Sequence, residues 1–230
     1  SNARPPLLYS WFPRVWTERL SGMQDMYLGD VAQHLADQTG IEPVYALRLF
    51  DRTQFVTPAT YLRNLKLLSK APWAPRRYVV VESFGRLLEI LRSYLNPWDA
   101  YRYSRMTRHQ DFGSAFQCDG LDVGALFKRR MWRSVLVDWP HLVVLPQNAR
   151  RLAQDQQPSV VVVYSFEFVY GRSIIQGTRE GAPDTPIVGL QHGPIAPMNL
   201  RYSGTVDERA ATADGGEAMP DPDIYTLDGS

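Results

Sequence analysis

Apolar residues recur along the chain in two rhythms. Pro6-Leu7-Leu8-Tyr9-Ser10-Trp11-Phe12 is a short apolar run bounded by prolines, too brief for three helical turns, and predicts a buried first strand. From Leu28 the spacing changes. Leu28, Val31, Ala32, Leu35 and Ala36 fall on one helical face, and Gly40 stands where that helix should stop. A strand is expected at about Val44 to Leu49. Thr60 to Ser69 returns to helical spacing through Tyr61, Leu62, Leu65 and Leu68, and the proline-rich Ala71 to Pro75 ends it. Arg77-Tyr78-Val79-Val80-Val81-Glu82 is a β-branched strand running straight into the helical pattern of Leu87, Leu88, Leu91 and Leu95.

The middle of the chain, Asn96 to Leu145, is helical in patches and rich in arginine and aromatic residues, and reads as an insertion. Regularity returns with a polar helix over Asn148 to Gln157, closed by Pro158. Ser159 to Tyr164 follows, with four valines and no alternation. A strand apolar on both sides belongs inside a parallel sheet covered by helices on both faces. Gly171 to Arg179 predicts a helix, and Pro186-Ile187-Val188-Gly189-Leu190 another buried strand. The order β-α-β-α-β-α and then α-β-α-β predicts an α/β fold, a Rossmann-like doubly wound and mostly parallel sheet.

Composition refines the division. Ser1-Asn2-Ala3 reads as the remnant of a cleaved tag, and residues 4–202 as the α/β domain. Residues 203–222 hold little that could be buried and are expected to form a flexible linker or loop. Residues 223–230, with Asp223-Ile224-Tyr225-Thr226-Leu227, read either as the start of a second, truncated domain or as a final edge strand. The length of 230 residues equals about one and a half ordinary domains.

Other features exclude function classes. A net charge of +1 offers no electrostatic reason to expect nucleic acid or an anionic membrane as the main partner. The single cysteine, Cys118, cannot form an internal disulfide and fits a reducing, cytoplasmic compartment, with peripheral contact at the inner membrane left open. The longest apolar run, Val160 to Tyr164, falls far short of the roughly 20 residues of a membrane span, so no transmembrane segment is expected. No phosphate-loop pattern, no G-x-G-x-x-G after a strand and no G-x-S-x-G elbow occurs. His34, His109, His141 and His192 show no metal-ligand spacing, so no metal is expected.

What remains is Gly189-Leu190-Gln191-His192-Gly193-Pro194. Here a histidine directly follows a buried strand, where an imidazole titrating near neutral pH could accept a proton from a hydroxyl, and Gly193 would let a ligand approach the backbone. The alternative is a turn histidine bonded to a nearby carbonyl. Glu167 follows the four-valine strand. It could orient that imidazole or grip a sugar hydroxyl if the two strands are neighbours, or it could simply favour the first turn of the next helix. Arg172 lies near that helix start, where an anion is favoured. Glu82 and Ser10, at the ends of other expected strands, complete the candidate set. Val79 to Arg86 also echoes Val161 to Phe166, which would put Glu82 and Glu167 at the carboxyl end of one sheet.

The stretch Val160 to Glu167, then Tyr170-Gly171-Arg172, then Ile187 to Gly193, resembles the amino-terminal half of bacterial surface-polysaccharide glycosyltransferases of the GT-B type, near the capsule, Kdo and CDP-glycerol transferases. The resemblance covers about Val160 to Tyr202, more loosely Tyr78 to Leu95, and nothing in Asn96 to Leu145. It implies an acceptor-side domain facing a carboxyl-terminal donor-binding domain, with Pro222 to Gly229 as the crossover between them. Carried over, His192 would match the family's base and Glu167 the glutamate of the preceding loop, both catalytic; Gln191, Gly193, Arg172, Glu82 and Ser10, taken from their places at strand and helix ends, are expected to line the substrate. The donor would be a nucleotide-sugar substrate and the acceptor a glycan or lipid-linked glycan, with no cofactor. The isolated chain would then be poorly active. The rival readings are a non-catalytic ligand-binding or regulatory domain, and a GT-B-like nucleotide-sugar epimerase or hydrolase.

Overall fold

The computed structural model describes residues 4–19, 22–50, 58–71, 77–95, 97–109, 111–114, 116–118, 121–164, 168–190 and 222–226. The chain divides into two units, one made of Ser1–Phe84 with Leu145–Ser230 and the other of Gly85–Val144. In the first unit, β1 (Leu7–Pro13) leads into an antiparallel hairpin of β2 (Trp16–Arg19) and β3 (Gly22–Asp25). Then come α1 (Gly29–Thr39), β4 (Val44–Phe50), α2 (Pro58–Lys70), β5 (Tyr78–Val80) and a 3-10 turn, Val81–Phe84. The second unit carries α3 (Leu87–Tyr94), α4 (Pro97–Met106), α5 (Asp111–Ser114), the hairpin β6 (Gln117–Cys118) and β7 (Leu121–Asp122), and α6 (Gly124–Arg133). A π-helical turn, Ser134–Asp138, precedes α7 (Trp139–Gln156), whose later turns belong to the first unit. β8 (Val161–Tyr164), α8 (Val169–Gly181), β9 (Ile187–Leu190) and β10 (Ile224–Thr226) follow.

Six strands form one sheet in the order β10-β9-β8-β1-β4-β5, and every neighbouring pair is parallel. Counted along the chain within this sheet, the order is 3-2-1-4-5-6. This is the doubly wound, Rossmann-like arrangement, in which the winding direction reverses between β1 and β8. The valine-rich β8 lies between β1 and β9, and this interior position explains its lack of alternation.

Two layers cover the sheet. Leu7 and Tyr9 of β1, Ala46 of β4 and Val161 and Val163 of β8 face one core, with Ala149 and Leu152 of α7 and Ile174 and Ile175 of α8. The alternate residues Leu8, Phe12, Leu47, Leu49 and Val162 face the other, against Leu28, Ala32 and Leu35 around α1 and Leu68 of α2. Period-two alternation along each strand thus feeds both cores. Each fully buried Leu or Phe contributes about 1.5–3 kcal/mol relative to exposure.

Two local expectations change, and one hairpin is added. β5 ends at Val80, because Ser83 Oγ donates to the Val80 carbonyl at 2.6 Å and closes a 3-10 turn that takes in Glu82. The β2-β3 hairpin has strands of four residues, too short to read from alternation. The polar helix expected from Asn148 begins at Trp139 and runs through Pro146, which removes one N–H from the helix ladder without ending it. Ala149, Leu152 and Ala153 on that helix are fully buried.

Gly177 and Gly181 let α8 approach α7 closely. A Cβ at Gly177 would collide with the Pro146 carbonyl oxygen and stand 2.8 Å from the Ala149 Cβ. One at Gly181 would collide with the Arg150 carbonyl oxygen and lie 3.1 Å from the Ala153 Cβ. Gly40, with φ 66°, ends α1 in the left-handed conformation, and its N–H donates to the Ala36 carbonyl.

Candidate functional site

In sheets of this topology, ligands bind beyond the carboxyl ends of the strands, at the point where the winding reverses. Here that point lies between β1 and β8, with β4 and β9 as the next strands outward. β8 and β9 end in register, Tyr164 opposite Leu190. The strands that lead into Glu167 and His192 are therefore parallel neighbours. Glu167, Gln191, His192 and Gly193 themselves lie outside the described residues. Arg172 is half-buried in the first turn of α8, which Phe168 precedes in extended conformation.

At the carboxyl half of β1, Ser10 is buried and its hydroxyl donates to Asp25 Oδ2 at the end of β3. Trp16 Nε1 donates to Ser10 Oγ at 3.0 Å. Asp25 Oδ1 accepts the N–H groups of Tyr27 and Leu28 at 2.8 and 2.9 Å, tying down the approach to α1. Burial pushes the Asp25 carboxyl above its ordinary value, with the three hydrogen bonds opposing. Ser10 is thus enclosed in a network that fastens the hairpin to β1. Beside it, Tyr27 stacks on Tyr164 at 4.0 Å between ring centroids, and Trp11 meets Tyr164 edge-on at 5.0 Å.

Glu82 follows β5, the outer strand separated from β8 by β4 and β1, so it does not share a strand pair with the segment that carries Glu167. Its carboxylate faces Arg48 of β4, Oε1 to Nε at 3.6 Å, and Oε2 accepts the Leu49 N–H at 3.3 Å. The Arg48 guanidinium also lies over the Tyr170 ring at 4.3 Å, linking β4 to the start of α8. Burial raises the Glu82 carboxyl above its ordinary value, and the Arg48 charge works against that rise.

Sequence reasoning overlooked Asp25, Arg48 and the aromatic residues around Tyr164. Two signals were present. Asp25 stands three residues before the apolar run that opens with Leu28, a common position for a carboxylate at a helix start. Arg48 is the one charged residue in the apolar strand Val44–Phe50, and a charge buried on a two-sided strand requires a partner.

Among the described residues, no group of three or more His, Cys, Asp or Glu side chains is placed to hold a metal ion. No helix among them is long and apolar enough to cross a membrane. No protein-family model and no curated protein matches the chain.

Proposed function

We propose that this chain is the acceptor-side domain of a glycosyltransferase that moves a sugar from a nucleotide-activated donor to a glycan or lipid-linked acceptor, with the sheet acting as the amino-terminal half of a GT-B enzyme. The observation that carries this reading is the parallel adjacency and shared register of β8 and β9, one strand from the winding reversal. That adjacency starts the Glu167 and His192 segments from neighbouring strand ends, where a base and its orienting carboxylate need to meet.

In the proposed step, His192 accepts the proton of an acceptor hydroxyl while Glu167 orients the imidazole and steadies its positive charge. The hydroxyl oxygen forms the new bond to the anomeric carbon. The bond from that carbon to the nucleotide phosphate breaks, and the phosphate oxygen leaves with the electron pair. Arg172, near the start of α8, would favour an anionic group there.

The enclosure of Ser10 and the Arg48–Glu82 pairing favour a second reading, a ligand-binding domain without chemistry, because both candidate side chains serve internal contacts. The experiment supplies the complete gene product with radiolabelled nucleotide sugars and a membrane glycan extract, and compares wild type with His192→Ala. Label transferred to the extract by wild type, with a loss in the variant of about a hundredfold or more, supports the reading. Turnover within about tenfold of wild type refutes the base assignment, and label released only to water identifies a hydrolase.

A further inference from the structure

The net charge of +1 is unevenly spread. Residues 85–144 carry nine Lys and Arg against six Asp and Glu, a net +3, which leaves −2 for the rest of the chain. The same unit turns large apolar side chains outward. On α3 and its C-cap, Leu87, Leu88, Leu91, Tyr94 and Leu95 are between 46% and 74% exposed. At 100° per residue these five fall within an arc of about 120°. Glu89 and Ser93 lie on the opposite side, and the exposed Arg92 borders the arc beside Leu88. No residue of α3 is fully buried.

This reverses the ordinary amphipathic helix, whose apolar stripe faces a core. The neighbouring helices repeat the composition. On α4, the exposed Trp98 and Tyr101 stack at 5.5 Å, and Arg102 lies over the Trp98 ring at 5.2 Å. On α6, Leu126 and Phe127 are exposed beside the exposed Lys128, Arg129 and Arg130.

An occupant of this unit must be apolar where it meets the leucines and anionic where it meets Arg92 on α3 and the exposed basic side chains of α4 and α6. A leaflet containing anionic lipid offers both. Its acyl boundary accepts leucine, its headgroup level accepts Trp and Tyr rings, and its phosphates accept guanidinium groups. Because no helix among the described residues is long and apolar enough to span, the mode of contact is one that lies on the surface. We infer that the 85–144 unit is a peripheral membrane-binding module, which lays the leucine arc of α3 into an anionic leaflet with its arginines on lipid phosphates. The inference stands on this unit alone and is independent of the glycosyl-transfer reading.

The test is flotation of the full chain with phosphatidylcholine vesicles, with and without phosphatidylglycerol, at low and high salt. Two variants alter only exposed side chains, L88Q/L95Q and R92Q/R129Q/R130Q, and circular dichroism checks that each remains folded. Wild type should float with the phosphatidylglycerol vesicles, more weakly at high salt. L88Q/L95Q should lower the partition coefficient about tenfold or more on both vesicle types. The arginine variant should lower it about tenfold or more on the anionic vesicles and leave the weak neutral-vesicle binding unchanged. Absence of wild-type flotation with anionic vesicles at low salt would overturn the inference, as would folded variants that float like wild type. Self-association of wild type that L88Q/L95Q abolishes, without vesicle binding, would overturn it in favour of a second copy of the chain.

Discussion

Asp25 is the centre of a buried network, and replacing it separates two opposing contributions. Asp25→Ala removes the acceptor of three hydrogen bonds, from the Ser10 hydroxyl and from the N–H groups of Tyr27 and Leu28. Leaving buried donors unmet costs about 1–3 kcal/mol each, and these costs do not add fully in one cluster, so a loss of about 3–5 kcal/mol is expected. Asp25→Asn keeps an oxygen for the two backbone donors and removes the buried charge, so its cost at neutral pH should be about 1 kcal/mol or less. The pH dependence follows from the raised carboxyl. A group whose folded value lies above its ordinary 3.8 contributes stability fully present below that value. The contribution is lost as pH rises through the raised folded value. The assay is the urea midpoint followed by circular dichroism from about pH 4 to 7 in wild type and both variants. The difference between wild type and Asp25→Asn should shrink or reverse as pH rises. A constant difference across that range, or an Asp25→Ala variant within about 1 kcal/mol of wild type, would refute the reasoning.

Two further substitutions probe the frame around the site. Gly177→Ala would gain about 1 kcal/mol of helix propensity but drive a methyl into the Pro146 carbonyl, so a net loss of about 2–4 kcal/mol is expected in denaturant unfolding. A stabilised variant would show that α7 and α8 do not meet so closely. Asp223 fixes the outer edge of the sheet, accepting from Arg179 Nη2 at 2.8 Å and from the Ile187 N–H at 2.8 Å. Burial works to raise its carboxyl, but the bonds from Arg179 and Ile187 and the Arg179 charge prevail and hold it below 3.8. Its contribution is therefore present above that value and lost as pH falls through the lower folded value. Asp223→Asn should speed amide exchange at Ile187 severalfold at neutral pH, an effect of about 1 kcal/mol after solvent screening, and the gap to wild type should close in acid. An unchanged exchange rate would remove Asp223 from the edge anchor.

Much of the element sequence was legible because periodicity is a local property. The helical spacing from Leu28 and the unbroken valines of β8 each report which faces a segment will bury, whatever packs there. Glycine chemistry was legible at Gly40 for the same reason, since the end of a helix is decided within a few residues. The strand order was not, because pairing β1 with both β4 and β8 joins residues far apart in sequence and depends on the winding of every crossover between them. Nor could the chain alone reveal that Ser10 would be enclosed by Asp25 or that Glu82 would face Arg48, since each partner arrives from a different element. A side chain at a strand end looks the same in sequence whether it faces ligand or neighbour.

The charge is the clearest division between the two levels. Composition set the total at +1, and that average offered no reason to expect an anionic surface. The sequence already gathers nine basic residues between positions 85 and 144, but only the fold makes that stretch a unit of its own and leaves the leucines of α3 in solvent. Electrostatic and hydrophobic attraction act on local surface and not on totals, so a chain neutral as a whole can still carry a cationic, apolar face.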